Sequence, residues 1–192
     1  MREYDFLIRL FNPSCRPTNQ ALMKEKVCNK GIKPHLVKVT PGRGVTSYSL
    51  FEFSNRTNSA WLPFFDNTYQ TPGTPDAPKN LIALCDYIIV AECMEKTFVI
   101  LVELKRFNDT AHAKEQLSAG KVFMEYFLAT AERIKKKNGQ DDFDSRTIEF
   151  RKVIVERVEK ETLKNHQTDS NHNPMDFQTH RLIDTFTIRS SI

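Results

Sequence analysis

Hydrophobic and polar positions alternate along the chain in two distinct rhythms. "LIALCDYIIV" (81–90) and "TFVILVEL" (97–104) are mostly apolar and rich in β-branched residues, and polar "AECMEK" joins them. Runs of this length and composition predict two buried strands forming a hairpin. From Asp109 the period lengthens: Gln116, Gly120, Phe123, Phe127, Ala131 and Ile134 recur at intervals of three or four. That spacing predicts one face of a helix, which continues through basic "RIKKKNG" and stops near Gly139.

Upstream, "PTNQALMKEKVCNKG" (17–31) reads as a first helix, with Pro17, Thr18 or Asn19 as start signals and Gly31 as its stop. "PHLVKV" and "SYSLFEFS" then read as strands separated by the turn "TPGRG". Beyond the long helix, "RTIEFRKVIVERV" has strand chemistry, with Ile148, Phe150, Val153 and Val155 suggesting a bulge or a switch of face midway. "THRLIDTFTI" predicts a last strand. Residues 55–83 hold Pro63, Pro72, Pro75 and Pro78 among Trp61, Phe64, Phe65 and Tyr69 without either period, and read as an insertion loop. The whole predicts an α/β fold, a central mixed β-sheet flanked by helices, as one domain over 1–192. Its core spans about 17–158, with a C-terminal extension over about 159–192. There is no internal repeat and no low-complexity tract.

Composition narrows the picture only modestly. With 192 residues, 40% hydrophobic and 27% charged, the chain is long enough to bury a core, and no run approaches the length a bilayer requires. The N-terminal "MREYDFLIRLFNPSC" mixes charge with apolar residues, unlike a secretory signal or transit peptide. Cys15, Cys28, Cys85 and Cys93 follow no zinc or disulfide spacing, so the expectation is reduced thiols and a cytoplasmic protein. A formal charge of +4 is compatible with a polyanionic partner without requiring one.

The informative place is the end of the second apolar strand, "FVILVELKRF" (98–107), where Glu103 and Lys105 interrupt an otherwise buried run. A hairpin turning between Met94 and Glu95 sets Asp86 opposite Glu103, and a slip of one residue would undo that opposition. Opposed residues have Cβ atoms about 5 Å apart, and like charges there destabilise a sheet unless something offsets them. A hard, oxygen-seeking cation such as Mg²⁺ or Mn²⁺ would do so. Alternation puts Lys105 on the same face as Glu103, beside such an ion, where an ammonium can orient a water and stabilise charge on a phosphate. Gln116, at the front of the following helix, would approach these strand ends, and Gly120 permits the helix to lie close.

An acid opening one strand of a hairpin ("LCDYII"), E-x-K near the end of the next ("VELKR") and a polar residue at the start of the following helix resemble the PD-(D/E)xK nuclease superfamily. Its restriction endonuclease-like order of helix, three strands, helix and strand matches the reading from about Pro17 to Val158. The resemblance implies that Asp86 and Glu103 are metal ligands, with the Leu104 carbonyl as a third. It implies that Lys105 assists the attacking water and that Gln116 occupies the often polar helix position. Cys85 stands where the motif's name has proline, a position that varies in the superfamily. The implied activity is Mg²⁺-dependent cleavage of nucleic acid, DNA above all, by a homodimer or by one component of a larger system.

Among the 24 acidic residues only Glu103 is followed two positions on by lysine, so the pattern is not scattered by chance. The competing reading is a salt bridge of Lys105 with Asp86 and Glu103 at a solvated edge, in a non-catalytic scaffold or nucleic-acid-binding subunit. A nucleotide or other phosphoester substrate is a third reading, unsupported by any Gly-rich phosphate loop. Glu25 and Glu52 are further acids for which a solvated face is the better reading. The aromatics from Trp61 to Tyr69 could stack on bases but more often cover core. "RIKKKNG" could touch phosphates or simply answer the helix macrodipole. "NHQTDSNHNP", with His166 and His172, lacks the surroundings of an HNH site and reads as a surface loop.

Overall fold

A computed structural model describes residues 3–24, 34, 36–53, 85–105, 110–139, 143–157, 178–182 and 185–192. In chain order these form α1 (Glu3–Leu10), β1 (Leu22–Lys24), β2 (Leu36–Thr40), β3 (Val45–Glu52), β4 (Tyr87–Cys93), β5 (Lys96–Lys105), α2 (Thr110–Lys137), β6 (Glu149–Arg157), β7 (Gln178–Leu182) and β8 (Thr185–Thr187). Single 3₁₀ turns at Pro13–Cys15, Ser145–Thr147 and Ile188–Ser191 punctuate them. The class is α/β, with two mixed sheets and helices.

The larger sheet runs β3-β4-β5-β6-β7. β3, β4 and β5 are antiparallel neighbours, whereas β5, β6 and β7 run parallel. β4 is buried at every position and β5 at all but its ends, because both faces of this sheet are covered. On one side Ile88, Val90, Val99, Leu101 and Ile154 pack against Leu7 of α1 and against Ala113, Leu117, Met124 and Leu128 of α2. On the other, Leu50, Tyr87, Ile89, Ile100, Val102 and Val155 meet Met23, Val37, Val39 and Phe186 of a three-stranded sheet ordered β1-β2-β8. A strand covered twice has no need of polar alternation, which explains the unbroken apolar runs. Tyr87 joins the layers: its hydroxyl accepts from the Lys24 amide at 2.8 Å and donates to the Lys24 carbonyl at 3.0 Å.

The β4–β5 hairpin turns on Met94 and Glu95, with φ of 49° and 64°. Positive φ at both central residues is the geometry whose twist matches the flanking strands. It fixes the register inferred from the sequence, with Cys93 opposite Lys96 and Tyr87 opposite Val102.

Several expectations need correction. The helix read over 17–31 is absent where the chain is described: Leu22–Lys24 is a strand paired with β2, and the first helix is α1, earlier in the chain. Met23 is needed in the inter-sheet core, and that demand overrides a helical pattern. The long helix is present, but its buried line is Ala113, Leu117, Gly120, Met124, Leu128 and Ala131, with Phe123 and Phe127 at its margin and Ile134 40% exposed. The margin is apolar because α1 and β3 close it: Phe11 stacks on Phe51 and Phe127, and Phe53 meets Phe123 edge-on. β6 carries no bulge, since its partners follow β5 without a break from Glu149 to Glu156; Val153, Ile154 and Val155 are buried in succession because both faces are covered. The last strand is two strands, β7 and β8, in different sheets. The insertion loop, Glu25, Arg106, His166 and His172 lie outside the described residues.

Candidate active site

Asp86 immediately precedes β4, Glu103 and Lys105 stand near and at the end of β5, and Gln116 lies in the second turn of α2. The hairpin register, extended by one residue beyond Tyr87 and Val102, brings Asp86 beside Glu103. Two reciprocal hydrogen bonds hold the acids there. The Asp86 amide donates to Glu103 Oε2 at 3.0 Å, and the Leu104 amide donates to Asp86 Oδ2 at 3.0 Å. The Asp86 carbonyl accepts from the Phe53 amide at 2.9 Å, so β3 braces the same residue from its other side.

The Lys105 ammonium lies 3.1 Å from Glu103 Oε1 and donates to Gln116 Oε1 at 3.0 Å. Two of its three donors are thus engaged with described residues, one acceptor coming from its own strand and one from α2. The side chains of Lys105 and Glu103 are 17% and 3% exposed, so the pair sits at the mouth of the site with the carboxylate underneath. Burial foremost, then the Asp86 charge, push the Glu103 carboxyl up to about 8, against the opposing pull of Lys105 and of the Asp86 amide. Such a group is poised to give up its proton when a cation arrives.

Cys85 is buried beneath this cluster, and burial, aided by the charges of Glu103 and Asp86, holds its thiol well above the usual range. It acts as a neutral spacer. A Cβ at Gly120 would come within 2.8 Å of the Cys85 sulfur, so the absence of a side chain there lets α2 lie low enough for Gln116 to reach Lys105. The reason for Gly120 read from the sequence, close helix approach, is met, with Cys85 as the group approached.

Glu52 pairs with Tyr87 and so lies on the face that meets the smaller sheet, away from Asp86 and Glu103. Lys135 of the basic helix end is buried with its ammonium 4.7 Å from the centre of the Phe6 ring, and Lys136 pairs with Glu132. That end of α2 is about 40 Å of helix away from its start near the site. A residue unmarked by sequence reasoning is Glu156, buried on β6 in register with Lys105. No motif spacing points to it; only the parallel pairing of β5 with β6 brings it there.

Among the described residues, no cluster of three or more His, Cys, Asp and Glu side chains is placed to hold a metal ion. The donors at hand are the carboxyl groups of Asp86 and Glu103, with the Leu104 carbonyl directly after Glu103 in the chain. This set does not suit zinc, which favours four protein ligands in structural sites and three in catalytic ones. It does fit a hard cation such as Mg²⁺, which keeps several waters and is commonly held by one or two carboxylates. No family model, no curated protein and no solved structure significantly matches this chain.

Proposed function

We propose that the chain is a metal-dependent phosphodiesterase that cleaves nucleic acid, DNA in the first instance, as an endonuclease. One observation carries this reading: two adjacent acids, Glu103 buried and Asp86 half-buried, share their strand ends with a lysine that a helix glutamine holds in place. A fold rarely sets two carboxyl groups side by side, one of them buried, without a cation to favour their ionised form. Asp86, Glu103 and the Leu104 carbonyl are assigned as the ligands of Mg²⁺ or Mn²⁺. When bound, the ion would neutralise charge on the scissile phosphate and lower the pKa of a water. Lys105 would orient that water for in-line attack and donate to the phosphate oxygen on which charge develops. Gln116 would keep the ammonium from swinging away, and the rigid hairpin would keep both acids in place. One site per chain favours two copies, a homodimer, when both strands of a duplex are cut, or recruitment by a partner protein.

The test is cleavage of supercoiled plasmid and of short single- and double-stranded DNA and RNA with Mg²⁺, Mn²⁺ or EDTA. Wild type is expected to cut only with metal, and Lys105→Ala and Glu103→Ala to lose about 100-fold or more in rate. Metal-dependent cutting that survives either substitution in nuclease-free material would sink the proposal. The Lys105–Glu103 contact also favours a second reading, a non-catalytic scaffold whose acids are neutralised internally. That reading requires that neither Mg²⁺ nor Mn²⁺ raise the melting temperature, whereas a native metal site adds about 2.7 kcal/mol at a hundredfold excess over Kd.

A further inference from the structure

We propose that the outward face of α2 is the surface on which two copies of this chain pair, with their α2 helices antiparallel about a two-fold axis level with Met124. This surface would carry the homodimer of the reading above, yet it rests on observations of α2 alone. Leu117, Met124 and Ala131, seven residues apart, are buried against the rest of the fold. The opposite side of the helix carries Glu115, Ala119, Val122, Tyr126, Ala129 and Arg133, spaced alternately by four and three. That spacing is the seam along which one helix packs on another. Val122 is 66% exposed, the most of any large apolar side chain among the described residues, and Tyr126, one turn on, is 59% exposed. Single exposed apolar residues are ordinary, but two stacked in one row with Ala119 and Ala129 form a patch.

The occupant follows from the order of the seam. Its members stand two, five and nine residues on either side of Met124, so the row maps onto itself when the helix is reversed. In an antiparallel pair Val122 meets Tyr126 of the second copy, Ala119 meets Ala129, and Glu115 meets Arg133. Each contact then occurs twice, as a two-fold interface requires. The charges agree: the Glu115 side chain is 77% exposed and Arg133 is exposed as well, so acid and base are presented at matching heights. A parallel pair would set Arg133, Lys136 and Lys137 of one helix end against the same residues of the other, whereas reversal separates them and opposes the macrodipoles favourably. A partner of another kind would place no demand on the row to be symmetric. A seam about 27 Å long and one helix wide is at the small end of specific interfaces, so pairing should depend on concentration, with a dissociation constant on the order of micromolar. The two Gln116 positions would stand about 24 Å apart along the helix direction.

The full chain is examined by sedimentation velocity at low salt between about 1 and 100 µM. The samples are wild type, Val122→Glu, Glu115→Arg, Arg133→Glu, the double variant Glu115→Arg with Arg133→Glu, and an equimolar mixture of the two single charge variants. Wild type should pass from monomer to dimer across this range. Val122→Glu, which places a charge at the centre of the seam, should weaken pairing about tenfold or more. Each single charge variant turns two attractions into repulsions and should weaken it about tenfold, an effect that fades in high salt. The double variant and the mixture both restore opposite charges at both contacts and should return close to wild type. Every variant should melt like wild type at the lowest concentration, since the altered positions are exposed.

A wild type that stays monomeric at the top of the range overturns the inference and leaves this face to a different partner. A dimer unmoved by Val122→Glu overturns it too, as does a mixture no better paired than its components. If Val122→Glu fails to fold, the charge exchange decides, because it touches only exposed polar positions. Cleavage plays no part in the readout: a chain that pairs without cutting sinks the phosphodiesterase reading alone, and a monomer that cuts sinks this inference alone.

Discussion

Glu103 ties the chemistry of the site to the stability of the fold. Its carboxyl, at about 8, keeps in the folded protein a proton that the unfolded chain releases near 4.5. The folded state therefore binds more protons between those values, and stability falls as pH rises from about 4.5 to about 8 and levels off above. Metal-free wild type should show this fall in melting temperature, and Glu103→Gln should lack it and be the more stable protein at pH 8, while losing the Mg²⁺-induced gain. A pH slope unchanged by the substitution would place the raised carboxyl elsewhere. Gln116 is tested separately. Gln116→Ala removes one of two described acceptors of the ammonium, and the expected outcome is roughly a tenfold drop in cleavage rate with an unchanged melting temperature.

At the scale of elements, Gly120 and the β4–β5 turn make opposite predictions. Alanine in place of a mid-helix glycine ordinarily stabilises by about 1 kcal/mol. At Gly120 the new Cβ meets the Cys85 sulfur at 2.8 Å, so Gly120→Ala should instead destabilise, by about 1–3 kcal/mol in denaturant titration. Cys85→Ala in the same chain should relieve it. At the turn, Met94 and Glu95 hold positive φ without being Asn or Gly. Met94→Asn with Glu95→Gly should raise stability by about 1–2 kcal/mol, because the left-handed conformation burdens ordinary side chains by that order per residue. A fall in the unfolding midpoint would mean that the tip makes other contacts.

The same elements show what the sequence could convey. The β4–β5 hairpin was legible, and with it the pairing of Asp86 and Glu103, because two apolar runs bounded by a short polar link admit few registers. The approach of Gln116 to Lys105 was legible because α2 begins only a few residues after β5. Met23 was not legible as a strand residue: its burial comes from the core between the two sheets, which β3, β4 and β5 complete further along the chain, and local pattern holds no trace of those partners. Ile134 misled because the true apolar margin of α2 depends on the Phe11 and Phe53 rings that close it. Glu156 stayed invisible because register between parallel strands is set across the intervening helix and not by adjacent residues.

For the whole molecule, Phe186 measures how far the second sheet matters. It is fully buried between the layers. Phe186→Ala should cost about 3–5 kcal/mol in chemical denaturation, well beyond the loss of a peripheral contact. Retention of wild-type stability would mean that the three-stranded sheet is a loosely attached cover. The parallel pairing of β2 with β8 has a further consequence for how the chain comes to be folded. It joins Thr40 to Thr187, 147 residues apart. During synthesis the strands of the β4–β5 hairpin emerge long before β8, the last strand of the sheet that covers their second face. Closing so long a loop is slow, and until it closes the layer over Ile89, Ile100 and Val102 lacks Phe186 and Ile188 and is incomplete. The nascent protein is therefore expected to need a holding chaperone, and to aggregate when β8 is withheld by truncation at residue 183.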